Sequence, residues 1–300
     1  MIGIIGVGNM GLAMAQRLRE ADFAVAACDI DPSRCALARE AGCLLRDTPA
    51  ALAADVDVLI IAVVDGVQMN DVLFGSVGAA RTLRCGAAVL LCPTVSPLDV
   101  QDAAARLAAQ GVDVIDAPMS GGPQRAREGT MSLMVAGADA ALQRCRFLLD
   151  RLSSRVFVVG SRPGDGARTK LVNNLLAAAN LAAASEALAL AQRWGLDLAV
   201  TMAVVEQSSG QSWIAGDRAR RLLAGDGAVL ARVALLAKDS ALALGAAHEG
   251  GVDAALLPVS QAAAATFAAA LQNGLADADD SALFRQASSQ WPAAGAADAP

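Results

Sequence analysis

The chain opens MIGIIGVGNMGLAMAQRLRE, an apolar run over 2–5 followed at once by Gly6-Val7-Gly8-Asn9-Met10-Gly11. A G-x-G-x-x-G spacing alone constrains little, because 27 glycines in 300 residues produce it by chance. Its setting constrains far more. The run 2–5 reads as a short buried strand, and Leu12, Ala15, Leu18 and Arg19 continue at helical spacing to Ala21. A second apolar run, 23–28, then ends in an acid, Asp29, at the distance that suits an adenosine ribose. Gly6 permits the sharp turn, Gly8 lets the backbone approach phosphates, and Gly11 brings helix and strand close, with the helix N-terminus facing the anion. A dinucleotide site is the favoured reading of strand, turn, helix and acid together, over a glycine-rich turn that holds nothing.

The same alternation continues to about residue 160. Strands are expected at 58–63, 88–91, 112–115, 132–136 and 156–159. Between them Asp31-Pro32, Thr48-Pro49 and Ser96-Pro97 each set a capping side chain before a proline suited to the first helical position. Such alternation implies a doubly wound, mainly parallel sheet covered on both faces. At GSRPGDG (160–166) the pattern changes, and no strand is expected after it. A long helix is expected over 167–194, with others near 197–208, 212–224, 229–248 and 258–273. The expected organisation is an α/β dinucleotide-binding domain of Rossmann type at 1–161, an all-α domain at 162–287 and a loose tail at 288–300.

A net charge of −6 argues against nucleic acid or an anionic membrane as partner, which leaves small molecules. The longest uncharged stretch of the long helix, 171–185, is shorter than the roughly 20 residues a membrane span needs and is interrupted by Asn173, Asn174 and Asn180. No signal peptide is read at the start, so the expected location is the cytoplasm. The six cysteines form no C-x-x-C pair and the single histidine is His248, so free thiols and no metal site are expected.

Lys170 and Asn174 lie one turn apart on the long helix, on a face otherwise built of small apolar residues such as Ala177, Ala178 and Leu181. A lysine held in an apolar, nucleotide-filled cleft loses hydration, which favours its neutral, proton-accepting form. The other reading is a lysine that merely solvates the first turn. In DAPMSGGPQRAREG, Ser120-Gly121-Gly122 can expose backbone N–H groups and a hydroxyl in a nest suited to a carboxylate, or be an ordinary loop. Arg125 and Arg127 either attract an anion or line a solvated face. Trp213 either lines the substrate end or sits in a core or interface, and His248 reads as a helix C-terminal cap.

Taken in order, Gly6-x-Gly8-x-x-Gly11, Thr94 in CPTVSP, Ser120-Gly121-Gly122, Gly166-x-x-x-Lys170-x-x-Asn173-Asn174 and Lys238-Asp239 resemble the β-hydroxyacid dehydrogenase family over about residues 1–287. Segments near 64–76 and 210–226 look most like its L-threonate dehydrogenase branch. The resemblance implies an NAD-dependent oxidation of the 3-hydroxyl of a small 3-hydroxy acid, or the reverse reduction, by a homodimer or homotetramer. Lys170 would be the catalytic lysine. Ser120, Gly121, Gly122 and Asn174 would hold the substrate carboxylate, with Trp213 at the substrate end. The turn Gly6 to Gly11, Asp29, Val64, Thr94 and Lys238 would border the cofactor. The chain departs from many members at Val64-Asp65, where they carry Leu-Pro, and from the threonate-like branch at Asn173-Asn174, where that branch carries His-Gln. Rival readings are a semialdehyde or imine reductase on the same scaffold and, in a different class, a non-catalytic nucleotide sensor. A pure binder would need neither Lys170 nor Asn174.

Overall fold

The computed structural model describes residues 1–289. The chain divides into two compact units, Met1–Lys170 and a second that begins at Leu171. The first contains β1 (Ile2–Ile5), α1 (Asn9–Glu20), β2 (Val25–Cys28), α2 (Pro32–Glu40), β3 (Leu44–Leu45), α3 (Pro49–Ala53), β4 (Val58–Ile61) and α4 (Gly66–Phe74). It continues through β5 (Ala88–Leu91), α5 (Pro97–Ala108), β6 (Asp113–Asp116), β7 (Met119–Ser120), α6 (Gly122–Glu128), β8 (Ser132–Ala136), α7 (Asp139–Leu152) and β9 (Arg155–Gly160).

The sheet runs β3-β2-β1-β4-β5-β6-β8-β7, with β9 paired to β8. Every pair from β3 through β6 is parallel, while β8 runs antiparallel to β6 and β7. β1, β2, β4 and β5 are buried throughout, as strands covered on both faces must be. Alternate side chains serve the two faces. Ile2, Ile4, Val58, Ile60 and Leu90 join one apolar cluster with Met14, Leu18 and Leu148, while Ile5, Leu59, Ile61, Val89 and Leu91 join another with Leu73, Val100 and Leu107. The three capping prolines sit where the sequence places them, and Asp31, Thr48 and Ser96 accept the N–H groups of Ser33, Ala51 and Leu98.

α8 (Asp165–Arg193) begins in the first unit and leads into α9 (Leu198–Glu206), α10 (Trp213–Leu223), α11 (Val233–Glu249), α12 (Pro258–Gln272) and α13 (Leu283–Ser289). α11 starts later than the expected residue 229 because the Asp279 carboxylate draws the N–H groups of Leu230 and Ala231 into a loop, at 3.0 and 3.3 Å. Ser288 and Ser289 belong to α13 rather than to a tail; the rest of the expected tail, 290–300, lies outside the described residues. The core of the second unit is Phe267, fully buried among Ala178, Leu181, Ala182, Ala263 and Ala270. Small alanine faces let helices approach closely, so one large ring fills the space between them. By length and composition alone α8 is long and apolar enough to cross a membrane, yet 44% of its most apolar window is buried within the protein. Its Ala178, Leu181 and Ala182 belong to the helical core.

One ion pair anchors the end of this unit. Asp280, fully buried, is gripped by Arg218 at 2.5 Å (Nε to Oδ1) and 3.0 Å (Nη2 to Oδ2). Burial pushes the Asp280 carboxyl up, and the guanidinium works against that push. Arg218→Met should therefore leave a buried anion without its cation and cost about 3–5 kcal/mol. The deficit should shrink as pH falls toward about 4, since a carboxyl whose folded pKa is raised loses stability only as it ionises. Urea unfolding at pH 7 and pH 4.5 checks both; an equal deficit at the two values contradicts the assignment.

Candidate functional site

The strand order 3-2-1-4-5-6 reverses between β1 and β4, and ligands of such sheets bind outside the carboxyl ends of the strands at that point. Four expected groups follow the carboxyl ends of adjacent parallel strands. Gly6 to Gly11 follow β1, Val64 follows β4, Thr94 follows β5 and Ser120 follows β6. Sheet topology thus brings together at one edge residues far apart in sequence.

The first of these groups is built for close backbone approach. Gly6 has φ +88°, which side chains rarely adopt, and a Cβ on Gly11 would stand 1.9 Å from the Gly6 carbonyl oxygen. At Gly8 a Cβ would meet only open space, so the backbone there is accessible to a ligand. α1 has no capping side chain and no acid in its first turn, whereas α2, α3, α4 and α5 are each capped by a side chain. The first-turn amides, with the positive end of the helix dipole, suit a pyrophosphate. These features fit a dinucleotide.

Asp29, at the end of β2, holds this turn in place. Its Oδ2 accepts the Val7 N–H at 2.7 Å and its Oδ1 the Asp31 N–H at 2.9 Å. Val7 itself is fully buried and its amide faces Asp29, so the amides left for phosphate are those that follow it. A carboxylate has about four acceptor positions, and the two remaining suffice for ribose hydroxyls. Val64 is exposed and gives its N–H to Gln68 Oε1 at 3.0 Å, while Asp65 caps α4. Thr94 is half-buried in the loop between β5 and α5.

Ser120, half-buried, ends the short strand β7 and leads into two successive positive-φ glycines, Gly121 (+127°) and Gly122 (+75°), at the start of α6. α6 also lacks a side-chain cap. Arg127 is spent on an ion pair with Glu20 of α1, and Arg125 lies against Gly121, where a Cβ would meet its Cδ at 2.9 Å.

Lys170 is buried, 7% exposed, in the early turns of α8. In the second unit Asn174, also buried, donates from Nδ2 to Asp239 Oδ2 at 2.6 Å, and its Oδ1 accepts from Asn173 Nδ2 at 3.0 Å. One amide hydrogen of Asn174 remains to serve a ligand. Lys238 Nζ lies 2.8 Å from the other oxygen of Asp239, so that acid orients both expected site residues. Trp213 opens α10 and is 47% exposed, which removes the core reading of that ring. His248 lies in the last turn of α11, as expected of a cap.

Sequence reasoning gave no role to two carboxylates. Asp239 entered only as the second residue of the Lys238-Asp239 pair, within VALLAKDSALAL. Asp116 was visible as an acid directly after the apolar pair Val114-Ile115. It is 1% exposed, and its Oδ2 accepts the N–H groups of Gly164 (2.8 Å) and Ala167 (2.9 Å) at the start of α8. Burial pushes this carboxyl up to about 6, against the backbone N–H groups that favour its charged form.

Comparison with known proteins shows what the chain is similar to. Residues 1–160 match the NAD binding domain of 6-phosphogluconate dehydrogenase, and residues 164–287 match the family described as NAD-binding of NADP-dependent 3-hydroxyisobutyrate dehydrogenase. The chain is 37% identical to L-threonate dehydrogenase of Cupriavidus necator over 284 residues, 95% of each chain. Among solved structures, 3-hydroxyisobutyrate dehydrogenase from Salmonella typhimurium superposes with a TM-score of 0.87 at 34% identity, covering 95% of this chain and 99% of that one. Psf3 in complex with NADP+ and 2-OPP gives a TM-score of 0.89 at 27% identity, covering 95% and 99%.

Asp29→Ala should leave the buried Val7 amide without its acceptor, a loss of about 1–3 kcal/mol, and loosen the turn that receives the dinucleotide. NAD titration calorimetry should show affinity weakened at least about tenfold, or about 1.4 kcal/mol. Unchanged affinity contradicts the bracing role of Asp29.

Proposed function

The chain belongs to the β-hydroxyacid dehydrogenase family, and from that premise we propose that it oxidises the 3-hydroxyl of a small, threonate- or 3-hydroxyisobutyrate-like acid with NAD, or runs the reverse reduction. The observation that carries this reading is Lys170. An amine buried early in α8 is costly to place, and proton transfer is the task that a pure nucleotide binder would not need.

The bound nicotinamide supplies the hydride acceptor in the oxidation. The residues of this chain do the rest. Lys170 Nζ takes the proton from the substrate hydroxyl as the carbonyl forms, and returns it in the reverse direction. Ser120, Gly121 and Gly122 offer a hydroxyl and turn amides to the substrate carboxylate, and Asn174, held in place by Asp239, is the substrate-binding residue of the second unit. Anchoring the carboxylate fixes which hydroxyl lies at the amine, so regiochemistry follows from orientation. Trp213 borders the substrate end, and Val64, Thr94 and Lys238 border the cofactor. Residues 1–161 form the cofactor domain, and 162–287 form the substrate and dimerisation domain of a homo-oligomer, a dimer or tetramer. The protein works in the cytoplasm.

Two outcomes test this. Lys170→Ala should lower kcat by at least about 100-fold, the lower bound for losing general acid or base catalysis, with NAD affinity nearly unchanged. Lys170→Arg should not restore turnover, because a guanidinium stays protonated. Near-normal turnover in Lys170→Ala contradicts the mechanism, and loss of NAD binding recasts Lys170 as a cofactor residue. Separately, NAD should exceed NADP in kcat/KM by at least about tenfold, because the Asp29 carboxylate repels a 2'-phosphate. Equal use of NADP would show that Arg34, on α2, offsets that repulsion.

A further inference from the structure

Asp116 does something that neither binding nor proton transfer explains. It is the last residue of β6, the strand whose chain continues into Ser120-Gly121-Gly122, and its carboxylate is spent on the opening of α8. It accepts the Gly164 N–H at 2.8 Å and the Ala167 N–H at 2.9 Å, and the nearby Gly166 amide also favours its charged form. First-turn amides have no partner within their own helix, and here a carboxylate from a different element supplies it. The chain is shaped for this contact. Gly164 has φ +99°, and a Cβ on Gly166 would stand 2.8 Å from the Asp116 Cγ, so the close approach requires glycine at 166. Lys170 follows Gly166 by one helical turn.

We infer that Asp116 is a positioning residue for the reaction: its carboxylate fixes the start of α8, and with it Lys170, against the end of β6 from which the Ser120 loop issues. The inference rests on the reading of Lys170 as the proton acceptor. Stability alone is a poor reason for this arrangement. A carboxyl whose burial pushes it up to about 6 is, at neutral pH, an anion held at a cost, with Asp165 adding repulsion from α8 and the neutral Cys92 thiol lying close by at the end of β5. What the charge provides is one acceptor that reaches the helix amides together. Because it acts through hydrogen-bond acceptance, an amide oxygen in the same place should largely replace it.

The test uses the full-length enzyme and the best hydroxy acid found, with kcat normalised to sites that bind NAD. Asp116→Ala should lower kcat at least about tenfold while the NAD dissociation constant stays within about twofold, and Asp116→Asn should keep kcat within about fivefold of the parent. If Asp116 acts through Lys170, the double variant Asp116→Ala/Lys170→Ala should turn over no more slowly than Lys170→Ala alone. The inference is overturned by unchanged kcat in Asp116→Ala, by additive losses in the double variant, or by an Asn variant as impaired as Ala. Should Asp116→Ala fail to fold, the Asn variant and its double with Lys170→Ala decide: folded Asn protein with kcat lowered more than fivefold overturns the inference, and parental kcat upholds it. Near-normal kcat in Lys170→Ala overturns the proton-transfer reading itself, whereas a dead Lys170→Ala beside an active Asp116→Ala overturns only the role of Asp116.

Discussion

Ile2–Ile5 pairs in parallel with a strand on each side, Val25–Cys28 and Val58–Ile61, and the first unit is organised by that fact. Parallel neighbours require a crossover between them, and right-handed crossovers that leave a central strand in opposite directions place their helices on opposite faces. The loops after β1 and β4 therefore part, and a crevice opens at the carboxyl edge between them. The glycine turn lies at that point because a helix can follow β1 closely only if Gly11 carries no side chain against the Gly6 carbonyl. A dinucleotide site and a tightly packed strand-helix corner are here the same geometric requirement.

Within each unit, acids serve as acceptors for backbone N–H groups. Asp29 braces the glycine turn, Asp116 braces the start of α8, and Asp279 folds the loop before α11. A backbone amide buried without a partner is costly, and a carboxylate can satisfy two or three at once. Such acids place atoms more firmly than apolar packing does, because their bonds are directional. Asp239 accepts a hydrogen bond from Asn174 at one oxygen and forms an ion pair with Lys238 at the other.

The strands of the sheet were legible because buried parallel strands are continuous apolar runs, and 88–91 and 132–136 appear at their expected bounds. The two short strands were not. Leu44–Leu45 and Met119–Ser120 are two residues each, too short to show any period, and they exist only through pairing with neighbours. Capping residues were legible where proline followed them. The delayed start of α11 was not, because the competing acceptor, Asp279, lies far along the chain. The glycines and Lys170 stood out by motif. Asp116 did not, and Asp239 entered only as the neighbour of Lys238, since the role of each lies in which distant atoms it meets, and one sequence carries no record of that.

The measurement that bears most directly on the central claim is NAD reduction, followed at 340 nm, over C3 to C5 hydroxy acids including threonate, glycerate, serine and 3-hydroxyisobutyrate, with ethanol and a neutral polyol beside them. A carboxylate anchor that sets the hydroxyl against a lysine predicts turnover of at least one 3-hydroxy acid with kcat/KM about 100-fold or more above the plain alcohols, equivalent to about 2.7 kcal/mol of transition-state discrimination. Oxidation of ethanol as efficiently as the best acid contradicts the anchor, and NAD binding without turnover of any acid contradicts the assignment as a dehydrogenase.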